Sequence, residues 1–255
     1  MPSSRTIFLT HHHPEGCREV ADEVAVEEPL EIRLDGHPVA VVMRTPGHDG
    51  ELALGFLISE GIIPNKGTLR KTEPRPDENR ILLFLHDGVG VDLAKLTRHF
   101  FTGSSCGLCG KATLDAILCE FPPIGGKLII PDNVILSAPA KLRAAQDTFQ
   151  TTGGLHAAAL FSAGGDLLVC REDIGRHNAV DKVIGHALLN DIDPETSFLL
   201  VSGRLSFEIM QKSLAARIPV VAAISAPSSL AVDFAKNSGQ ALIGFLRPPV
   251  FNRYA

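Results

Sequence analysis

The stretch FLLVSGRLSFEIMQKSLAARIPVVAAISAPSSLAVDFAKNSGQALIGFL, residues 198–246, decides the fold class of this chain. Three short apolar runs, at 198–201, 220–225 and 241–246, alternate with two segments of helical spacing, at 207–217 and 229–236. A strand, a helix and a second strand in succession form a crossover that returns the chain to the same sheet in parallel. Two crossovers in a row predict a largely parallel sheet with helices on its faces. Upstream, Ser137 with Pro139 opens a helix toward Phe149. Strands at 156–162 and 167–170 then form a hairpin across Gly164-Gly165-Asp166. Val180, Val183, Ile184, Ala187 and Leu188 fall at helical spacing and predict another helix.

The first part of the chain reads as a smaller α+β unit. Strands at 30–34 and 39–43 flank the turn Asp35-Gly36-His37-Pro38, an apolar helix runs over 51–58, and Gly61 terminates it. A further strand is expected at 80–85. The stretch 65–79, rich in Pro, Gly and charge, reads as an exposed connection. The organisation that follows is a flexible N-terminal tail over 1–25, an α+β domain over 26–121, and an α/β domain over 122–255. Histidines 11 to 13 beside Cys17 invite a metal reading. Pro14, Gly16 and the lack of apolar periodicity favour a polar tail instead.

Chemistry concentrates in Thr102-Gly103-Ser104-Ser105-Cys106-Gly107-Leu108-Cys109-Gly110-Lys111. Two thiols sit three positions apart on a glycine-rich loop that runs into a helical pattern starting near Gly110. They therefore lie at the positive end of a helix, with Lys111 adding a cation, and such surroundings lower a thiol pKa. A structural zinc site would need a second close ligand pair, and Cys17, Cys119 and Cys170 are singletons. A thioredoxin-type dithiol and a persulfide carrier both remain open on these residues. Cys119 and Cys170 fall in apolar segments and read as packed small hydrophobes.

Composition bounds the rest. The 255 residues carry a formal charge of −5, and 45% are apolar, which is enough for a sizeable core and argues against a nucleic-acid binder. Five cysteines, an odd number with one tight pair, fit a reducing cytoplasm better than a disulfide framework. Nothing in the sequence reaches the length of a membrane span, and the first residues lack the apolar centre of a secretory signal.

Several blocks together resemble the FdhD (FdhD/NarQ) family of formate dehydrogenase accessory proteins. They are Arg44-Thr45-Pro46-Gly47-His48-Asp49-Gly50-Glu51-Leu52-Ala53-Leu54-Gly55-Phe56-Leu57 with Glu60-Gly61-Ile62-Ile63, the Ser104 to Lys111 block, and Thr152-Gly153-Gly154-Leu155-His156-Ala157-Ala158. Arg171-Glu172-Asp173-Ile174-Gly175-Arg176-His177-Asn178-Ala179-Val180-Asp181-Lys182 and Ser202-Gly203-Arg204 complete the set. The resemblance implies a cytoplasmic sulfur carrier, a sulfurtransferase that takes persulfide sulfur from a cysteine desulfurase. It passes that sulfur to the molybdenum bis(molybdopterin guanine dinucleotide) cofactor of formate dehydrogenase. It assigns the persulfide to Cys106, with Cys109 as relay or protector. It also implies a homodimer, a cytidine-deaminase-like three-layer fold for the C-terminal half, and the cofactor as bound substrate with no metal of the chain's own.

The family's cofactor stretch maps onto Phe245, Leu246, Arg247, Pro248, Pro249 and Val250. The family pattern has a second Arg where Val250 stands and glycines at Pro248 and Pro249, which leaves Arg247 as the main candidate. Deaminase chemistry itself needs His-x-Glu followed by Pro-Cys-x-x-Cys. Here Ala158 takes the Glu position after His156, and the Cys pair precedes the His. The turns at Ser202-Gly203-Arg204 and Ser225 to Ser229 lie where open α/β sheets bind phosphates, and they read either as a recognition site or as ordinary helix caps. A non-catalytic chaperone of formate dehydrogenase and a dithiol oxidoreductase are the alternative functions.

Overall fold

A computed structural model describes residues 2–91 and 121–255; the Cys106/Cys109 loop, the helix expected after it and Cys119 lie outside the described residues. The three apolar runs form β9 (Ser197–Val201), β10 (Val220–Ala223) and β11 (Ala241–Arg247), parallel and in register through Phe198, Val220 and Ala241. Every residue of β9 and β10 is buried, as expected of strands covered on both faces.

The whole sheet, in the order β12-β11-β10-β9-β7-β8, is mixed rather than largely parallel. The tight turn at Gly165 (φ 88°) makes β7 (His156–Ser162) and β8 (Leu167–Asp173) an antiparallel hairpin, and β7 also pairs antiparallel with β9. At the other edge the chain reverses after Arg247 into β12 (Val250–Arg253), a strand that the sequence pattern did not reveal.

Helices cover both faces. On one, α4 (Arg176–Leu189), α5 (Phe207–Ala215) and α6 (Ser229–Ser238) pack Val183, Ile184, Met210, Leu214 and Phe234 against Leu199, Val201, Val221 and Leu242. On the other, α2 (Asp132–Ala144) packs Ile135, Ala138 and Leu142 against Ala159, Phe161, Leu200, Ala222 and Ile243. The expected single helix from Ser137 to Phe149 is instead two helices. The first starts after Pro131 and carries Pro139 inside it. The second, α3 (Asp147–Thr152), begins where the Glu172 carboxylate of β8 accepts from the N–H groups of Thr148 and Phe149 at 2.9 and 2.8 Å. A residue 24 positions away thus restarts the helix, which no local pattern encodes.

The N-terminal unit is a four-stranded sheet, β4-β3-β6-β5, of β3 (Glu28–Leu34), β4 (His37–Arg44), β5 (Leu69–Arg75) and β6 (Arg80–Leu85). The β3–β4 hairpin turns at Asp35 (φ 46°) and Gly36 (φ 80°), the double positive φ of a two-residue turn that matches strand twist. Helix α1 (Asp49–Ser59) seals one face with Leu52 and Leu57 against Leu30, Ile32, Ile81 and Leu83.

Two expectations change in this half. The connection over 65–79 contains the edge strand β5, mostly solvent-facing, where Pro74 is tolerated because its neighbour strand lies on one side only. The tail expected over 1–25 is a ten-pair antiparallel hairpin, β1 (Ser4–His13) with β2 (Gly16–Ala25). Its side chains are mainly exposed, so apolar periodicity carried no signal, and among the described residues no third strand joins it. Its base touches α3 through Ser3 and Thr148 hydroxyls 3.1 Å apart.

The two sheets are joined through α1 and α4, which cross backbone to backbone. A Cβ added to Gly55 would lie 1.8 Å from the Asp181 carbonyl oxygen, and one added to Gly185 would lie 1.9 Å from that of Glu51. Only glycine permits this approach from either side. Gly185→Ala is therefore expected to destabilise the chain by about 3 kcal/mol or more, since the clash is with rigid backbone. Gly126→Ala, where an added Cβ meets nothing within 4 Å, leaves the melting curve in place. Thermal unfolding of the two variants, compared with the parent chain, checks this.

Candidate functional site

The carboxyl ends of β9, β10 and β11 converge on one face. Past Val201, Ser202 locks onto β7: its hydroxyl accepts from the Ala157 N–H at 2.9 Å, and its own N–H donates to the Ala157 carbonyl at 2.9 Å. Gly203 follows against His156, whose Nδ1 would stand 3.3 Å from an added Cβ. Leu205 then pairs with the next turn, donating its N–H to Ala226 O and accepting from Ser228 N. Ser228 caps α6 by accepting from the Ala231 N–H at 3.2 Å. The Phe245 N–H reaches Ser225 O at 3.0 Å, which ties the third strand end to the second.

The start of α4 faces this region. Its first turn carries no acid, and Arg176 and His177 stand there instead. Cations at a positive helix end are unfavourable unless an anion comes to meet them. Arg176 Nε is buried with no hydrogen-bond partner among the described residues, a donor left open. His177 is pushed down to about 4 by burial, with Arg176 and Lys212 adding to it, so it is neutral at pH 7. Its Nε2 lies 3.4 Å from Ser206 Oγ. His156 is also lowered, by burial and then by Arg176. Residue-type reasoning on the sequence did not single out Arg176 or His177; the signal was a helix start bearing cations and no acid.

The stretch 245–250 divides by exposure. Phe245 takes φ 50°, a left-handed conformation rare for an aromatic residue, and shows its ring to solvent. The Arg247 guanidinium carbon is 5.9 Å from that ring's centroid, and its Nε donates to Ile224 O at 3.3 Å. Leu246, between them, is fully buried in the core. Pro248 and Pro249, joined by a cis peptide bond, turn the chain so that exposed Val250 pairs with Arg247. Phe245, Arg247, Pro248, Pro249 and Val250 are thus all exposed, and Leu246 alone of the six is buried.

A cleft of about 410 Å³ opens nearby, between the β4–α1 loop and β8, lined by Thr45, His48, Thr148, Cys170, Arg171 and Glu172 among others. His48 adopts φ 59° and is half exposed. Arg171 is fixed by the Glu51 carboxylate at 2.6 and 2.8 Å. The Cys170 thiol is pushed up to about 12 by burial and then by Glu172, which makes it inert and consistent with a packed residue. The cleft and the strand-end face meet at Asp173. One of its oxygens accepts from Gly175 N and Asn178 Nδ2, and the other accepts from Thr45 N and pairs with Lys182 Nζ at 2.7 Å. Among the described residues no group of three or more His, Cys, Asp or Glu side chains is placed to hold a metal ion. None of the described helices is long and apolar enough to cross a membrane.

The FdhD/NarQ family model matches residues 25–255. The chain belongs to the FdhD/NarQ family. It is 47% identical over 250 residues to the sulfur carrier protein FdhD of Streptomyces coelicolor, with 92% of this chain and 87% of the relative covered. The same-named proteins of Mycobacterium tuberculosis and Sulfurisphaera tokodaii are 49% and 45% identical, covering 91% and 97% of this chain and 90% and 94% of theirs. A crystal structure assigned as a formate dehydrogenase accessory protein of Desulfotalea psychrophila superposes with a TM-score of 0.81 at 28% identity. That match covers 99% of this chain and 97% of the other. In FdhD/NarQ terms, the blocks at Arg44 and Arg171, distant in sequence, are brought together around Asp173.

The lowered pKa of His177 has a defined consequence. Between pH 6.5 and about 4 the unfolded chain binds a proton at this position that the folded chain does not, so this group removes stability as pH falls through that window. An NMR pH titration is expected to show the His177 ring carbon shift flat from pH 8 to about 5. A midpoint near the ordinary histidine value would contradict the burial argument.

Proposed function

We propose that the chain is a cytoplasmic sulfur carrier that loads a persulfide on the Cys106/Cys109 loop and holds the molybdenum bis(molybdopterin guanine dinucleotide) cofactor as substrate on the strand-end face. The name its relatives bear, sulfur carrier protein, supports the first part. The observation that carries the second is the strand-end face itself: an open Arg176 donor at a helix start, Arg247, and the strained, exposed ring of Phe245. Guanidinium groups and a helix N-terminus suit phosphates, and an aromatic ring suits a guanine or pterin plane. Leu246 contributes through the core rather than by contact.

In the loading step the Cys106 thiolate attacks the outer sulfur of a cysteine desulfurase persulfide. A new S–S bond forms, the donor cysteine leaves as thiolate, and no external oxidant is required. Cys109 relays or protects the sulfur. In delivery the Cys106 S–S bond breaks, the outer sulfur passes to the cofactor with two electrons supplied by its reduced metal centre, and Cys106 returns as thiolate before insertion into formate dehydrogenase, the acceptor protein. The C-terminal half, 122–255, is read as cytidine-deaminase-like in its layering, with 26–121 as the smaller α+β domain and the working form a homodimer. The helices on both faces of the mixed sheet support that reading of the layers.

Cells carrying only Cys106→Ala are expected to lose formate dehydrogenase activity while the purified variant keeps its fold. Full activity would contradict the carrier role. As a paired arm, Arg247→Ala is expected to weaken guanosine diphosphate binding by about 1–3 kcal/mol in a titration. Unchanged affinity would place the phosphate elsewhere on the strand-end face, with Arg176 next to be replaced.

A further inference from the structure

The tip of the β1–β2 hairpin carries chemistry that the sulfur-carrier reading does not use. His12 and Cys17 are direct cross-strand partners in the ladder, and Cys17 Sγ lies 3.0 Å from His12 Nδ1. Both side chains are exposed, and the thiol is free. The hairpin precedes nearly all of the family match, which begins at residue 25.

Packing does not explain these residues. Among the described residues the ribbon has two strands and no third, and such a ribbon is marginally stable by itself. Its anchor, Ser3 against Thr148, is at the opposite end. A hydrogen bond between two exposed groups adds little to stability, since water competes for both partners.

We propose that the hairpin tip is a two-ligand binding site for a borderline divalent cation of the zinc class, with His12 Nδ1 and Cys17 Sγ as its ligands. Imidazole nitrogen and thiolate sulfur are the preferred donors of such ions, at about 2.0 and 2.3 Å. A tetrahedral ion between them sets nitrogen and sulfur roughly 3.5 Å apart. The observed 3.0 Å therefore needs to widen by about half an ångström. Rotation of two exposed side chains supplies that without moving the backbone.

Side chains alternate faces along each strand, so His11 and His13 point away from this pair. Water fills the remaining positions. Binding breaks the S–H bond of Cys17, forms a sulfur–metal bond and releases one proton to solvent; nothing is oxidised or reduced. Two protein ligands make a readily exchanging site, one that joins the two strands at the end farthest from their anchor.

Cobalt(II) serves as the probe, titrated into the full chain carrying Cys106→Ser and Cys109→Ser so that the loop thiols do not contribute. One cobalt per chain is expected, with a near-ultraviolet thiolate-to-cobalt charge-transfer band and close to one proton released. The band is expected to vanish with Cys17→Ser, and affinity to fall on the order of tenfold or more with His12→Gln. Added zinc is expected to displace the cobalt. Circular dichroism of these exposed-position variants should match the parent. An unchanged band in Cys17→Ser, an imidazole-only spectrum without charge transfer, or no binding overturns the proposal. None of these outcomes bears on persulfide loading, so the two readings fail separately.

Discussion

Helices α1 and α4 touch through the backbone at Gly55 and Gly185, and the arrangement of the two sheets follows from that contact. With the helix axes this close, the loop after β4 is pressed onto the end of β8. Lys182, buried in α4, bridges from Thr45 O at 2.9 Å to Asp173 at 2.7 Å. On the other side of the crossing, Ser59 donates to Asp181 at 2.7 Å, and Lys212 of α5 reaches Asp181 at 3.0 Å and Glu60 at 2.7 Å. Burial, and then Glu60, push Asp181 up to about 6 against the pull of Lys212. Burial opposes the Lys212 charge, but its two carboxylate neighbours outweigh that and hold its pKa above the ordinary lysine value.

Buried pairs of this kind add little net stability, because desolvation offsets their attraction. Their effect is on uniqueness. A shift of one helical turn in the crossing would strand Lys182 and Lys212 without carboxylates in a dry interior, at a cost of several kcal/mol each. Glycines permit the close approach, and the charges fix its register. Asp173 is the point where that register reaches the surface, because it holds both the cleft loop through Thr45 and the start of α4 through Gly175 and Asn178. The open donor of Arg176 is one residue further on.

Much of this was legible in the sequence where burial writes a pattern. The runs that became β9, β10 and β11 are apolar because both faces are covered, and α4 declared itself through Val180, Val183, Ile184 and Ala187. Elements held by pairing rather than burial were silent: β5 and the β1–β2 hairpin are mostly exposed and polar, and β12 is four residues long. The break between α2 and α3 depends on Glu172 of a later strand. In the stretch 245–250, Phe245 and Arg247 lie on the surface, whereas Leu246 is buried in the core, a division that the sequence alone does not encode. Arg176 stands out only through its buried nitrogen, which has no partner among the described residues.

The central claim, that sulfur travels on Cys106, is tested most directly by mass. The chain is incubated with a cysteine desulfurase and cysteine, its intact mass is read, and the modified peptide is mapped. The account predicts an adduct of one sulfur atom, removable by a reducing agent and located at Cys106. An unmodified chain, or one that gains only a disulfide between Cys106 and Cys109, would contradict it.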